Sequence, residues 1–330
     1  MLLALVALVQ QPVLAPADRE RRVHTYSIVA WDSGSGDLGV AVQSKFPNVG
    51  GIVPWAKAGV GAVATQSLGN TAYGDDGLRL MAMGATAPEA MRIVMRGDQR
   101  PSQRQVGMVD ARGSAASWTG DSCFDWAGGR TLDVDGRIVT GEKGALIVGR
   151  GFAAQANIMV SDQTVKNMAD AFLHTTGALA DRLMAALVAG QAGGGDKRGM
   201  ESAALLVVRA GGGYLGANDR YIDIRVYDDT NPIRELQRLY RLHQLYFFQS
   251  RPEDLVPITP EVVRRLEPIL LAEPPGQREK WLDAPQGTAT AKFLQALENF
   301  MYWENYDVRV RNDGKIDRVA LEDIFARRKR

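Results

Sequence analysis

Thr25-Tyr-Ser-Ile-Val-Ala-Trp-Asp32, Ser33-Gly-Ser-Gly-Asp37 and Leu38-Gly-Val-Ala-Val-Gln-Ser-Lys45 read as a strand, a turn and a returning strand. Residues alternate with a period of two on either side of a Ser/Gly/Asp cluster, which is the signature of a β-hairpin. If Asp32 pairs with Leu38 across the turn, Thr25 stands opposite Lys45, with β-carbons roughly 5 Å apart. One face then carries Thr25, Ser27 and Val29 with Gly39, Ala41, Gln43 and Lys45. The other carries Tyr26, Ile28 and Ala30 with Leu38, Val40 and Val42, an apolar surface suited to lie under helices. A slip of one residue would put Ser44 or Phe46 opposite Thr25 instead.

Outward from the hairpin, apolar stretches at 51–55 and 60–66 predict two more strands. Residues 75–83 have helical spacing, and Thr86-Ala-Pro-Glu89 is a capping box that opens a helix to about Arg96. Strands are expected at 105–110 and 115–118. The glycine-rich run from Gly128 to Gly151 gives no clear period. Helices follow at 161–173 and 179–189, strands at 202–209 and 222–226, and a helix opened by Asn231-Pro232 and running to Leu245. Strands and helices thus come in groups rather than in single alternation, which argues against a doubly wound parallel sheet. The expectation is an α+β fold, a four-layer αββα sandwich of two sheets with helix pairs outside. Arg251-Pro252-Glu253-Asp254 marks a composition shift. Beyond it, 252–330 reads as a small, mainly helical module, with helices at 260–271, 288–302 and 319–325.

The chain begins with an unbroken apolar run, Leu2 to Val9, followed by the small-x-small triplet Ala15-Pro16-Ala17. This predicts a cleaved signal peptide at 1–17, and hence an exported, periplasmic or secreted product with a short extension at 18–24. No stretch reaches the length of a stable membrane span. With 39 Lys+Arg against 38 Asp+Glu in 330 residues, the formal charge is +1, which removes the basic footprint of a nucleic-acid binder. The single cysteine, Cys123, excludes an intramolecular disulfide and a cysteine-rich metal site, and three scattered histidines offer no metal cluster. No metal and no cofactor is expected.

Few histidines also make a Ser-His-Asp triad unpromising, so a hydrolase here needs another base. A threonine that is first in its chain can use its own α-amine. That amine titrates near 7.7–8.0 when unperturbed, and a neighbouring ammonium lowers it further. Thr25 beside Lys45 fits this use, with Lys57 a second lysine in reserve. Each residue alone is also an ordinary strand residue. Gln66, Ser67 and Asn70 follow a strand, where backbone N–H groups can form an oxyanion hole or where a polar connection simply enters a helix. Cys123 has no histidine near it in sequence and reads as buried packing. Gly193-Gly-Gly-Asp-Lys-Arg-Gly199 lacks phosphate-loop spacing and reads as a loop at the rim of the site. Asp110 and Asp223 lie in strands and are possible partners of the amine or of a lysine.

Thr25-Tyr-Ser-Ile-Val-Ala, Asp37-Leu-Gly-Val-Ala-Val and Val53-Pro-Trp-Ala-Lys-Ala-Gly-Val-Gly-Ala-Val-Ala-Thr-Gln66 resemble one bacterial family. It is the N-terminal-nucleophile (Ntn) hydrolase-like family known as domain of unknown function ten twenty-eight. Trp126-Ala-Gly128, Gly190-Gln-Ala-Gly-Gly-Gly-Asp196, Ser202-Ala-Ala-Leu-Leu-Val-Val208 and Asn218-Asp-Arg-Tyr221 extend the likeness over most of 25–245. The resemblance implies the Ntn fold for 25–250 and an amidohydrolase working by acyl transfer, with cleavage of the His24–Thr25 bond to free Thr25. Its substrate would be a small amide or peptide. The tail, through Glu298-Asn299, Glu304-Asn305 and Gly314-Lys-Ile-Asp317, is similar to a peptidoglycan-binding module found with that domain. The competing expectation is a non-catalytic envelope protein that binds cell-wall material on the same fold. An oligomer is compatible with either.

Overall fold

The computed structural model describes residues 25–272 and 280–327; the expected signal peptide, the 18–24 extension and His24 lie outside them. The chain divides into two compact units, one ending at Gln237 and the other beginning at Arg238.

The first unit is a mixed α+β body built on one large antiparallel sheet of eleven strands. In chain order these are β1 (Thr25–Trp31), β2 (Leu38–Ser44), β3 (Pro54–Lys57), β4 (Gly61–Ser67), β5 (Arg104–Asp110), β6 (Ser114–Thr119), β7 (Ala127–Leu132), β8 (Ile138–Gly141), β9 (Leu146–Asn157), β10 (Ser202–Val208) and β11 (Arg220–Val226). The main path runs β11-β10-β2-β1-β9-β6-β5-β4-β3, with β7 and β8 branching from β9. Where two separate sheets are expected from the sequence, the structure joins them through β9. Its first half pairs with β6 and its second half with β1. Gly151, at φ 76, sits between the halves, a backbone conformation that only glycine adopts freely and that lets the strand turn from one half to the other.

The sheet curls onto itself. Val29, Val40, Val42 and Leu206 from one half pack against Ala62, Ala64, Val109 and Ala115 from the other, forming an apolar core between the facing surfaces. Two helix pairs cover the outer surfaces. α1 (Ala72–Ala82) and α2 (Ala87–Arg96) bury Tyr73, Leu78 and Met91 against Val63, Val106 and Met108. α3 (Gln163–His174) and α4 (Leu179–Ala192) lie over β1 and β2, where Tyr26 donates to the Leu187 carbonyl and a β-carbon on Gly39 would stand 2.7 Å from Leu183. The capping box of α2 forms as the sequence predicts: Thr86 accepts from the Glu89 N–H, and the Glu89 carboxylate accepts from the Thr86 N–H.

The first hairpin forms, but its register corrects the sequence expectation by one residue. Trp31, not Asp32, pairs with Leu38, so Thr25 pairs with Ser44 rather than Lys45. The reason lies in the turn. The Asp32 carboxylate accepts from the Gly34 and Ser35 N–H groups, an Asx turn that takes Asp32 out of the strand. Every β2 side chain therefore changes face: Val40 and Val42 point between the sheet halves, while Gly39 and Ala41 lie under α4.

The second unit contains most of α5 (Pro232–Phe247), together with α6 (Pro260–Leu270), α7 (Ala291–Trp303), α8 (Arg318–Arg327) and the two-stranded pair β12 (Leu255–Pro257) and β13 (Lys315–Asp317). Its core gathers Leu245, Leu266, Phe293, Leu297, Phe300 and Tyr306. The buried Arg309 guanidinium donates to the Gln244 and Leu245 carbonyls and to the Asp317 carboxylate. The composition shift at Arg251–Asp254 is a short 3-10 turn within this unit, and the division falls earlier, inside α5.

Candidate active site

The inner surface of the curled sheet is apolar at one end and polar at the other. Alternation along the strands places Thr25 and Ser27 (β1), Gln66 (β4), Gln105 (β5), Thr119 (β6), and Gln155 and Asn157 (β9) in one buried array; none of these is more than 1% exposed. Polar side chains this deep are stable only when they are hydrogen-bonded to each other or to backbone. Gln66 Nε2 donates to the Thr25 carbonyl (3.1 Å) and to Gln105 Oε1 (2.8 Å). Asn157 Nδ2 also donates to Gln105 Oε1 (2.8 Å) and approaches the Thr25 carbonyl at 3.4 Å. Gln105 Nε2 in turn reaches Thr119 Oγ1 and the Ala156 carbonyl, both at 2.8 Å. Ser27 accepts from Gln155 and donates to Gln66 Oε1, each at 2.6 Å.

Thr25 lies at the edge of this array. Its carbonyl is held by two amide side chains from different strands, and its hydroxyl donates to Ser44 Oγ at 3.1 Å. Ser44 also accepts from the Phe46 N–H. Lys45 is one residue farther along and does not face Thr25; its ammonium pairs with Glu201 at 3.1 Å. Lys57 ends β3 opposite Gly61, exposed, at the end of that hairpin away from Gln66. The structure thus brings Thr25 together with Gln66 and Ser44, and separates it from both lysines.

Ser67 closes β4 at φ 67, a left-handed conformation that costs a non-glycine residue about 1–3 kcal/mol and is held only by strong surroundings. The cysteine Sγ of Cys123 lies 3.4 Å from Ser67 Oγ and 3.5 Å from the Arg104 carbonyl, in a buried position. The amides expected to offer an oxyanion hole are partly committed. The Leu68 N–H donates to the Gln103 carbonyl and the Asn70 N–H to Thr65 Oγ1. The Asn70 side chain instead joins a clamp around Asp98, which also accepts from Tyr73 (2.8 Å), Arg104 (2.8 Å) and the Arg100 N–H. Arg104 also donates to the Leu68 carbonyl. Burial pulls the Asp98 carboxyl upward, but the hydrogen bonds from Arg104, Arg100, Tyr73 and Asn70 outweigh it and hold the group well below the ordinary carboxylate range. Burial and the adjacent carboxylate push the Tyr73 hydroxyl far above its usual value.

Two further expectations find other places. Asp110 lies at the apolar end of β5, accepting from the Ala87, Arg112 and Ser114 N–H groups. Asp223 pairs with Arg225 on β11. The Gly193–Gly199 loop lies at the Thr25 end of the sheet: Asp196 bridges to Met159, two residues beyond Asn157. Gln105, Gln155 and Asn157 were not singled out by sequence reasoning, and Ser44 entered it only as the outcome of a register slip. Their one signal is polarity at alternate positions in otherwise small or apolar strands, which a solvent-facing strand shows equally. Among the described residues, no group of three or more His, Cys, Asp and Glu is placed to hold a metal ion, and no helix is long and apolar enough to cross a membrane.

The sequence matches the family of unknown function DUF1028 over residues 25–143 and 129–236, the stretch that carries the whole polar array. The chain belongs to this family. Protein SPO2555 from Silicibacter pomeroyi, a solved structure of the same family, is 26% identical, with a TM-score of 0.56 over 67% of this chain and 89% of that one. The ancestral β-subunit Anbu from Yersinia bercovieri aligns at 12% identity and a TM-score of 0.28, over 65% of this chain and 92% of the other. No curated protein matches the chain. The family match ends at residue 236, one residue short of the division between the two units.

Proposed function

We propose that the first unit is an amidohydrolase of the N-terminal-nucleophile type, with the hydroxyl of Thr25 as nucleophile. The observation that carries this is the setting of Thr25. It is the first residue of a strand inside the sheet, with its carbonyl fixed by Gln66 and Asn157 and its hydroxyl already in a hydrogen bond. A nucleophile needs this kind of positioning, since an error of about 1 Å is costly to catalysis. Helix pairs outside a sheet folded onto itself support the αββα layering of that fold. Release of Thr25 from His24 frees an α-amine, which takes the hydroxyl proton as Thr25 Oγ1 attacks a substrate carbonyl. The acyl group passes to Thr25, the amine leaves, and water then hydrolyses the ester. Asn157, whose Nδ2 approaches the Thr25 carbonyl, carries a buried Oδ1 without a partner among the described residues. Lys45 is paired with Glu201 and does not face Thr25, so it takes no direct part in this step.

For the second unit we propose attachment to cell-wall material; its separate core supports a module added to the hydrolase. We propose export as well, from the apolar run Leu2 to Val9, and with it an amide or short peptide of the envelope as the substrate class.

Intact-mass analysis of aged, purified protein tests the nucleophile. The chain should begin at Thr25, and a β-lactone should add one label there. Thr25→Ala should take no label and stay joined to residue 24, and Thr25→Ser should retain both activities. A wild-type chain that keeps residues before Thr25 and takes no label would leave the fold as a binding protein. For the second unit, isolated sacculi should deplete the full chain and a Pro232–Arg330 fragment, but not a chain ending at Asn231.

A further inference from the structure

A concave site lies on the opposite surface of the sheet from Thr25. Along β6, Thr119 points inward to Gln105 while Trp118 points outward, under α2. Met91, Met95, Pro101, Trp118 and Leu146 line an open-mouthed cavity there of about 290 Å³, and Arg92 and Arg96 complete its wall. Trp118 is fixed by its indole N–H, which donates to the Pro101 carbonyl at 3.2 Å.

The sequence of α2 builds this wall. Met91 and Met95 stand four residues apart, as do Arg92 and Arg96, so an apolar stripe and a cationic stripe run side by side. Methionine walls adapt to irregular apolar occupants. Arg92 and Arg96 are exposed, and neither has an ion-pair partner among the described residues. The nearest carboxylate along the helix, Glu89, accepts from Thr86 and feels the Arg92 charge without forming an ion pair with it. A small apolar cavity with a few convergent polar groups is the usual form of a small-molecule site, and this one offers charge of a single sign.

We propose that this cavity binds a small amphipathic anion: an acyl chain against Met91, Met95, Trp118 and Leu146, with its carboxylate between Arg92 and Arg96. At roughly 30 Å³ for each water-sized group, the volume holds a chain of about ten carbons. The guanidinium groups can each take the carboxylate in a two-point hydrogen bond, which a neutral or cationic headgroup cannot satisfy. The site is independent of the Thr25 chemistry and needs no cleavage before that residue.

Titration calorimetry of the full chain with decanoate tests it. Saturable one-to-one binding is expected, with acetate and decyltrimethylammonium giving none. The double variant Arg92→Gln/Arg96→Gln should weaken binding roughly tenfold or more. Met95→Glu, on the cavity wall, should abolish it, and both variants should keep the wild-type thermal unfolding curve. Decanoate binding unchanged in the double variant would place the ligand elsewhere and overturn the site. Equal binding of decyltrimethylammonium would reduce it to unspecific apolar contact. Binding of 2-naphthoate but not decanoate would overturn the acyl occupant.

Discussion

Gly107 is required by the buried array. A β-carbon at this position would lie 2.1 Å from Gln155 Oε1, and Gln155 is pinned in turn by its bond to Ser27. Gly107→Ala should therefore destabilise the protein by about 2–3 kcal/mol, measured by denaturant unfolding, because neither partner has room to yield. The ion pair of Lys45 with Glu201 limits what that lysine does for Thr25. Lys45→Ala should change β-lactone labelling by less than about threefold, since a half-exposed, paired ammonium projects little field; a change of tenfold would mean that it acts directly. Asp98 supplies a pH signature. Its carboxyl is held below the ordinary value near ~3.9, so the stability it contributes is complete above about pH 4 and is lost as pH falls through the lower, folded value. Asp98→Asn should flatten the fall in melting temperature between about pH 4 and pH 2. Of the buried polar array, Thr25 and Gln66 were singled out as candidates from the sequence. Gln105, Gln155 and Asn157 were not, because a polar residue at every second strand position looks the same whether it faces water or a buried network.

Among the elements, those with strong local chemistry were the readable ones. The capping box of α2 is fully specified by Thr86 and Glu89, and Thr86→Ala should cost about 1 kcal/mol in thermal or denaturant unfolding. The same change should loosen the wall that carries Arg92 and Arg96. The hairpin of β1 and β2 was readable in position but not in register. Nothing in the alternation of residues 25–45 tells whether Asp32 ends the strand or folds its side chain over the turn, and that one choice moves every β2 side chain to the other face. The strands β7 to β9 were unreadable for a different reason. Gly129 and Gly149 would place β-carbons 2.4 Å from Ser117 Oγ and 2.0 Å from Thr131 Oγ1, so close packing demands glycine where strand propensity would ask for bulk.

For the whole molecule, grouped strands and helices foretold the α+β class, while the joining of the strands into one curled sheet depended on Gly151, a single position in a run without period. The division between units was hidden by helical continuity. α5 is one uninterrupted helix with apolar periodicity throughout, so the only visible break was the Pro-containing turn at Arg251–Asp254. The second unit nevertheless uses the end of α5 as its own. Leu245 is in its core, Tyr246 stacks on Tyr306 with ring centroids 5.6 Å apart, and Arg309 fills its guanidinium with the Gln244 and Leu245 carbonyls. A fragment beginning at Pro252 loses all of these at once. Burial of a leucine is worth about 1.5–3 kcal/mol, and each hydrogen bond to a charged group about as much. A chain as short as the Pro252 fragment rarely holds more than about 3–5 kcal/mol in total. The fragment from Pro252 should therefore lack a cooperative thermal transition, whereas the one from Pro232 should unfold in a single step. Arg309→Met with Asp317→Asn in the longer fragment separates the two causes: it removes the charged pair but leaves Leu245 and Tyr246 in place. A transition that survives in that variant would make apolar packing of α5, rather than its carbonyls, the tie that holds the unit together.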